Sequence, residues 1–139
     1  MKIYNSIYEI KSKTDLNLMK IDFTSIDHVQ LTIPKGAESS ARKFYGGIMG
    51  LEEIEKPDSL KPNGGVWYRI SGIELHLGVE EKSGKTKAHP AFVVSNLNSA
   101  RVHLIQNSVE VKQEIEIPGR QRFSFYDPFG NRIELMQFE

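Results

Sequence analysis

Ile73-Glu74-Leu75, followed at once by His76, returns sixty positions later as Ile133-Glu134-Leu135. Each copy closes a half-length unit that opens on a histidine, His28 in the first half and His89 in the second. From histidine to glutamate the separation is 46 residues in the first unit and 45 in the second. Ala41-Arg42 and Ala100-Arg101 repeat at an offset of 59, and the two histidines at an offset of 61. Small anchors in one consistent order mark a duplication. Two imidazoles and two carboxylates at matching places in its halves read as a metal site.

Working outward, residues 26 to 33 alternate as a strand, with Val29, Leu31 and Ile33 on one face and His28, Gln30 and Thr32 on the other. Ala41, Phe44, Tyr45 and Ile48 recur at helical spacing, so a helix is expected over about 37 to 49. Gly46-Gly47 weakens its last turn, since each glycine costs ~1 kcal/mol against alanine. A short strand fits 51 to 55, and the run 56 to 65, with two prolines and two glycines, reads as a loop. Residues 66 to 70 and 73 to 79 form a hairpin about Ser71-Gly72.

The second half repeats this order after a charged connector over 80 to 87. A strand is expected over 88 to 94, then a helix carrying Leu97, Ala100, Arg101, Leu104 and Ile105, capped by Asn96. Residues 109 to 117 look strand-like and Pro118-Gly119 turns. Residues 122 to 126 and 132 to 138 close the chain as a hairpin about Asp127 to Asn131, with one turn residue at positive φ. The chain reads as β-α-β-β-β twice.

The 139 residues fit one domain with a sizeable core, and 39% hydrophobic against 26% charged residues is an ordinary globular balance. Lysine plus arginine equals aspartate plus glutamate at 18 each, which gives no bias toward nucleic acid or an anionic membrane. No apolar run approaches the roughly 20 residues that span a bilayer, and the N-terminus lacks the apolar stretch of a signal peptide. With no cysteine, any metal must be held by nitrogen and oxygen, and a cytoplasmic location is expected. Residues 1 to 24 lie outside the duplication and read as a flexible N-terminal extension, with Met19 an alternative start. Residues 25 to 138 form the single domain, with modules at about 25 to 80 and 88 to 138.

Several of these stretches together resemble the vicinal-oxygen-chelate superfamily, which includes glyoxalase I, the bleomycin- and fosfomycin-resistance proteins, methylmalonyl-CoA epimerase and the extradiol dioxygenases. They are Ile26-Asp27-His28-Val29, Ala41-Arg42-Lys43-Phe44-Tyr45, Met49-Gly50-Leu51, His89, and the closing run Asp127-Pro128-Phe129-Gly130-Asn131-Arg132-Ile133-Glu134-Leu135. The resemblance covers about residues 25 to 138. It implies an α+β fold in which two tandem β-α-β-β-β modules curl into an eight-stranded cup. It further implies a divalent metal on the concave face, held from the first and last strand of each module and chelated by the adjacent oxygens of a small-molecule substrate. His28, His89 and Glu134 fall on the family's ligand positions, and Glu74 matches the fourth by its Ile-Glu-Leu context. Gly46-Gly47 departs from the family's usual longer-branched residues, which touches stability more than chemistry. A homodimer is expected, with the first strands of the modules as contact elements.

Strand parity checks this independently. Glu74 and His76 oppose Ile73, Leu75 and Leu77; Glu134 and Met136 oppose Ile133 and Leu135; His28 opposes Val29 and Leu31. His28, Glu74, His89 and Glu134 are therefore expected to converge, and a buried Glu134 calls for a cation or an arginine beside it. The fourth ligand stays open between Glu74, His76 and water. His76 otherwise lines the substrate pocket or serves as a base, one of Trp67 and Tyr68 points inward, and Arg69, Arg120 or Arg122 can meet an anionic ligand. His103 is expected at the surface of the second helix.

Two nitrogens and one or two carboxylates suit zinc, nickel, manganese, iron(II) or cobalt without choosing among them. The function expected is a metal-dependent isomerase or lyase, in which the metal polarises a substrate oxygen and Glu134 or Glu74 shuttles a proton. The alternatives are an iron-dependent ring-cleaving dioxygenase, a thiol transferase acting on an antibiotic, and a metal-independent drug-binding protein.

Overall fold

The structure is a computed structural model that describes residues 21–81 and 84–139. The expected extension and the alternative start at Met19 lie, up to residue 20, outside the described residues; residues 21 to 27 carry no helix or strand and are exposed. Strand β1 (His28–Ile33) leads into helix α1 (Glu38–Ala41), which runs on as a π-helix over Arg42–Ile48. Then come β2 (Glu52–Ile54), a 3-10 turn (Asp58–Asn63), β3 (Val66–Ile70) and β4 (Ile73–Val79). The second module consists of β5 (Ala91–Val93), α2 (Leu97–Gln106), β6 (Lys112–Gln113), β7 (Arg120–Tyr126) and β8 (Arg132–Phe138).

The strands make two four-stranded mixed sheets, ordered β1-β4-β3-β2 and β5-β8-β7-β6. In each sheet the first strand pairs parallel with the last, and the other pairings are antiparallel. The duplicated β-α-β-β-β order is thus present, on an α+β fold. Both hairpins lie where alternation and turn residues place them, with Gly130 at φ 84° in the closing turn. Asn96 caps α2 by accepting the Ser99 N–H at 2.9 Å. No helix among the described residues is long and apolar enough to cross a membrane.

Four elements differ from the sequence expectation. The first helix keeps α geometry for one turn only; beyond it the Met49 N–H reaches back five residues to the Phe44 carbonyl at 2.9 Å. Gly46 and Gly47 sit in the widened turns, where they present no side chain to resist the expansion. The 56 to 65 loop contains a 3-10 turn. The strand expected over 88 to 94 narrows to three residues. The strand expected over 109 to 117 is reduced to a two-residue ladder and one bridge, Ile117 to Arg120. Over that stretch side chains replace the ladder. Arg122 Nη2 donates to the Ile115 carbonyl at 2.8 Å, and the Glu114 carboxylate is drawn to Ser124 and Arg132.

The apolar faces of both sheets pack into one core. Leu75, Leu77 and Tyr68 of the first sheet and Phe123, Phe125 and Ile133 of the second enclose Phe44 and Tyr45, and Leu97 and Leu104 of α2 join them. A polar network stitches the closing turn to the first module. Tyr45 Oη donates to Asp127 Oδ2 at 2.5 Å, and Asn131 Nδ2 donates both to Asp127 Oδ2 at 2.7 Å and to the Thr32 carbonyl at 2.8 Å. Asp127 Oδ1 accepts the backbone N–H of Phe129 and of Asn131 at 2.9 and 2.8 Å. Burial, with the Asp127 charge beside it, pushes the Tyr45 phenol far up, so its hydroxyl remains a donor.

Candidate functional site

The faces opposite that core carry the polar side chains, and each sheet presents its own group. On the second sheet β8 places Glu134 opposite Ser124 and Ala91, and the residue is only 3% exposed. His89 Nε2 lies 3.1 Å from Glu134 Oε2, and Arg122 Nη1 lies 3.3 Å from both carboxylate oxygens. The other histidine nitrogen, Nδ1, is 2.7 Å from the Lys87 carbonyl. A carbonyl can only accept, so Nδ1 carries the hydrogen, and a neutral ring presents a bare lone pair at Nε2. In that tautomer the lone pair would face a carboxylate oxygen, whereas a ring protonated at both nitrogens donates to it. Only a proton or a cation between the two relieves the repulsion.

The spacing suits a cation. Ligand atoms at about 2.1 Å from a metal stand roughly 3.0 Å apart at a right angle and roughly 3.4 Å apart in a tetrahedron. The 3.1 Å separation falls between these values and is equally the length of an ordinary N–H···O hydrogen bond. A histidine that donates its second ring nitrogen to a backbone carbonyl is also the usual support of a metal ligand.

On the first sheet β1 sets His28 opposite Glu74, and β3 sets Trp67 opposite His76. His28 Nδ1 is 2.8 Å from the Asp27 carboxylate, which again leaves Nε2 as the free lone pair. His76 Nε2 is 2.7 Å from Glu74 Oε2. The His76 ring is clamped on both sides: Trp67 stacks at 3.6 Å between centroids with planes 4° apart, and His28 stacks at 4.1 Å and 15°. Trp67 is thus the aromatic on this face. Tyr68 lies in the core, and burial pushes its phenol up to about 12. His76, being buried, presents its ring to these neighbours rather than to a pocket.

The two groups stay separate in one chain. Among the described residues no three histidine, aspartate or glutamate side chains come together around a point that could hold an ion. His28, Glu74 and His76 belong to the first sheet and His89 and Glu134 to the second. Since both apolar faces turn toward the shared core, both polar faces turn away from it. The expected meeting of His28, Glu74, His89 and Glu134 is therefore not made within a single chain.

Of the arginines, Arg69 shares the face of Glu74 but is exposed, with Glu52 at 3.8 Å. Arg120 covers the ring of Phe138. Arg122 is the one that reaches a candidate ligand. His103 sits at the surface, its Nε2 2.6 Å from the Ile48 carbonyl, and so ties α2 to the end of the π-helix. Sequence reasoning missed the cluster beside Glu134: Glu114 Oε1 accepts from Ser124 Oγ at 2.5 Å and from Arg132 Nη2 at 2.7 Å. The Ser124 hydroxyl, with Arg132, holds the Glu114 carboxyl below the usual carboxylate range. Alternation along β7 and β8 puts Arg122, Ser124, Arg132 and Glu134 on one face, and that signal could have found it. Asp27 as the support of His28 was legible only as its neighbour in sequence.

One consequence is measurable with the chain's single tryptophan. His76→Ala should shift Trp67 emission to the red as the indole loses its buried stacking partner. It should also cost about 2–3 kcal/mol, from the lost stack and the hydrogen bond to a charged group. Fluorescence and urea denaturation check this; an unmoved emission maximum would show that the stack does not exist in solution.

A family model described as the Glyoxalase/Bleomycin resistance protein/Dioxygenase superfamily matches residues 25–135. No curated protein matches the chain significantly. Among solved structures, a protein from Bacillus anthracis described as of the glyoxalase family is 43% identical; the match covers 87% of this chain and 100% of that one, with a TM-score of 0.83. Lactoylglutathione lyase from Agrobacterium tumefaciens is 19% identical over 85% of this chain and 100% of that one, with a TM-score of 0.67. A fosfomycin resistance protein from Listeria monocytogenes is 18% identical over 85% and 96%, with a TM-score of 0.68. The last two are likenesses of fold alone.

Proposed function

The chain belongs to the glyoxalase/bleomycin resistance protein/dioxygenase superfamily, and from that premise we propose a divalent-metal-dependent enzyme whose small substrate chelates the ion through adjacent oxygens. The observation that carries this reading is His89: its Nδ1 lies 2.7 Å from the Lys87 carbonyl and its Nε2 lies 3.1 Å from Glu134 Oε2, so a nitrogen and a carboxylate oxygen stand side by side. The donors present, imidazole nitrogen and carboxylate oxygen, suit zinc, nickel, manganese, iron(II) or cobalt. His89 and Glu134 would hold the ion from one copy of the chain. His28 and Glu74 would complete the set from a second copy, in a two-fold homodimer whose two sites are equivalent. The split of the donors between two outward faces supports this arrangement.

When bound, such an ion acts as a Lewis acid on the oxygens of the substrate. The chain's own residues do the rest. Asp27 and the Lys87 carbonyl fix the rings of His28 and His89. His76, clamped by Trp67, aims Glu74. An oxygen of Glu134 or Glu74 can take a proton from one substrate carbon and return it to the next, the step of an isomerase or lyase.

One observation favours a second reading, capture of a small molecule without metal: Arg122 Nη1 lies 3.3 Å from both Glu134 oxygens and gives that carboxylate a cationic partner from the chain itself. Calorimetric titration with zinc, nickel, manganese and cobalt separates the two. The enzyme reading expects one ion per chain and a stabilisation of about 2.7 kcal/mol at a hundredfold excess over Kd, seen as a higher Tm. If none of these ions binds and a bleomycin-like drug does, the second reading stands instead.

A further inference from the structure

We infer that a pocket on the first sheet, between Trp67 and Lys56, binds an aromatic carboxylate. The pocket belongs to one chain, and the inference needs neither the proposed metal nor a second copy.

The loop between β2 and β3 lies over the end of β4 and encloses a cavity of about 510 Å³. Three glycines make that shape. Gly65 takes φ 86°, and a Cβ there would run into the Leu77 carbonyl, so only glycine lets the loop come this close to β4. A Cβ on Gly64, at φ 72°, would crowd Glu38 and Val79. Gly78 leaves the floor bare: the Gln30 amide leans across it, and a Cβ would stand 2.5 Å from Gln30 Nε2. A glycine inside a strand weakens it and often marks a place where something approaches the sheet closely. The loop is also pinned, with the Gly65 N–H donating to Glu38 Oε1 at 3.1 Å and Lys56 Nζ donating to the Gly64 carbonyl. The cavity is therefore built into the fold.

Its walls choose the ligand. Trp67 gives an aromatic surface, Leu60 an apolar one, and Gln30 and Asn63 bring amides. Among the described residues that line it, Lys56 alone is ionisable. The Lys56 side chain is half-buried, and of its three N–H groups the Gly64 carbonyl takes one. No carboxylate among the described residues pairs with it. Glu55 and Asp58 are both held by Lys61 at 2.7 Å, and Glu53 by Arg42 at 3.0 Å. Those pairs are exposed, where water and salt screen them. Glu38 is turned to the Gly65 N–H, which, with Arg42 ahead of Lys56 among the charges, keeps its carboxyl below the usual range. Glu74 is held by His76, and Glu80 is exposed beyond Val79. A half-buried ammonium with spare donors favours an anion, because a charge-assisted bond is roughly twice as strong as a neutral one. The indole and the leucine beside it favour a ring. A carboxylate on an aromatic ring supplies both.

The test uses the full chain freed of metal, with benzoate and its neutral counterpart benzyl alcohol as probes. Binding is read by calorimetry and by the emission of Trp67, the single tryptophan of the chain. Benzoate is expected to change that emission and to bind more tightly than benzyl alcohol. The preference should shrink as sodium chloride is raised, a check that needs no variant. Lys56→Gln removes the charge but keeps a donor for the Gly64 carbonyl. It should weaken benzoate by about 10- to 100-fold, the worth of a hydrogen bond to a charged group, and leave benzyl alcohol as it was. Lys56→Arg should retain the preference. An unchanged Tm and unliganded emission in Lys56→Gln show that the loop has stayed in place. Benzoate that leaves Trp67 emission unmoved, equal binding of the two probes, or an unaltered preference in Lys56→Gln would overturn the assignment. So would benzoate binding seen only after metal is added, which would put the ligand at the proposed ion instead. Failure of the native protein to bind metal would leave this pocket standing, so the two readings fail separately.

Discussion

Asp127→Ala should destabilise the chain by about 3–5 kcal/mol, the range for removing one partner from a buried, charged hydrogen-bond network. The carboxylate takes four donors: the Tyr45 hydroxyl, the Asn131 amide, and the backbone N–H groups of Phe129 and Asn131. Both Asp127 and Tyr45 are buried, so water does not replace what alanine removes. The network also joins the modules, since Asn131 bridges Asp127 to the Thr32 carbonyl at the end of β1. For a chain of this length the loss should appear as a fall in Tm of about 10–20 °C. Tyr45→Phe deletes only one of the four bonds and should cost about 1–2 kcal/mol. Equilibrium denaturation of the two variants is the check. A loss below about 1 kcal/mol for Asp127→Ala would mean that the turn finds its donors other partners.

The elements that were legible in the sequence are those whose signals are local. The run Ile73–Val79 alternates over seven residues beside a two-residue turn, and the structure makes it β4 with those bounds. Arg132–Phe138 behaves in the same way after the Asp127 to Asn131 turn. Residues 109 to 117 misled because alternation reports which faces a segment offers, not whether a neighbour's backbone accepts it. There Arg122, Ser124 and Arg132 bind the segment from the side. The π-helix was hidden because Ala41, Phe44, Tyr45 and Ile48 bury one stripe in either helical register. Parity correctly put Glu74, His76 and Glu134 on the polar faces. It could not say how two sheets stand relative to each other, and so could not foresee that their donors form two groups. The choice between Trp67 and Tyr68 needed the β3–β4 register, which turns on the short Ser71-Gly72 connection, where Ser71 takes φ 52°.

Glu134→Gln should abolish tight metal binding and lower turnover of any substrate by about 10²–10⁴-fold, the usual contribution of a general base. The substitution keeps the shape of the side chain while removing its charge and basicity. On the proposed reading the loss is twofold: the ion would lose an anionic ligand, and the substrate would lose the oxygen that takes its proton. His28→Ala should weaken metal binding as well, although His28 lies on the other sheet and its contacts in the chain are to Asp27 and His76.

These two variants together test the shared site. In a site built from the first sheet of one copy and the second sheet of its partner, a mixed dimer of His28→Ala and Glu134→Gln chains contains one site with both defects and one with neither. The two proteins, each purified metal-free, are unfolded together, refolded as mixed dimers and titrated with zinc. The account predicts that each parent binds weakly, while the mixed dimer regains one ion at native affinity. Mixed dimers that bind no better than their parents, or parents that keep native affinity, would contradict it.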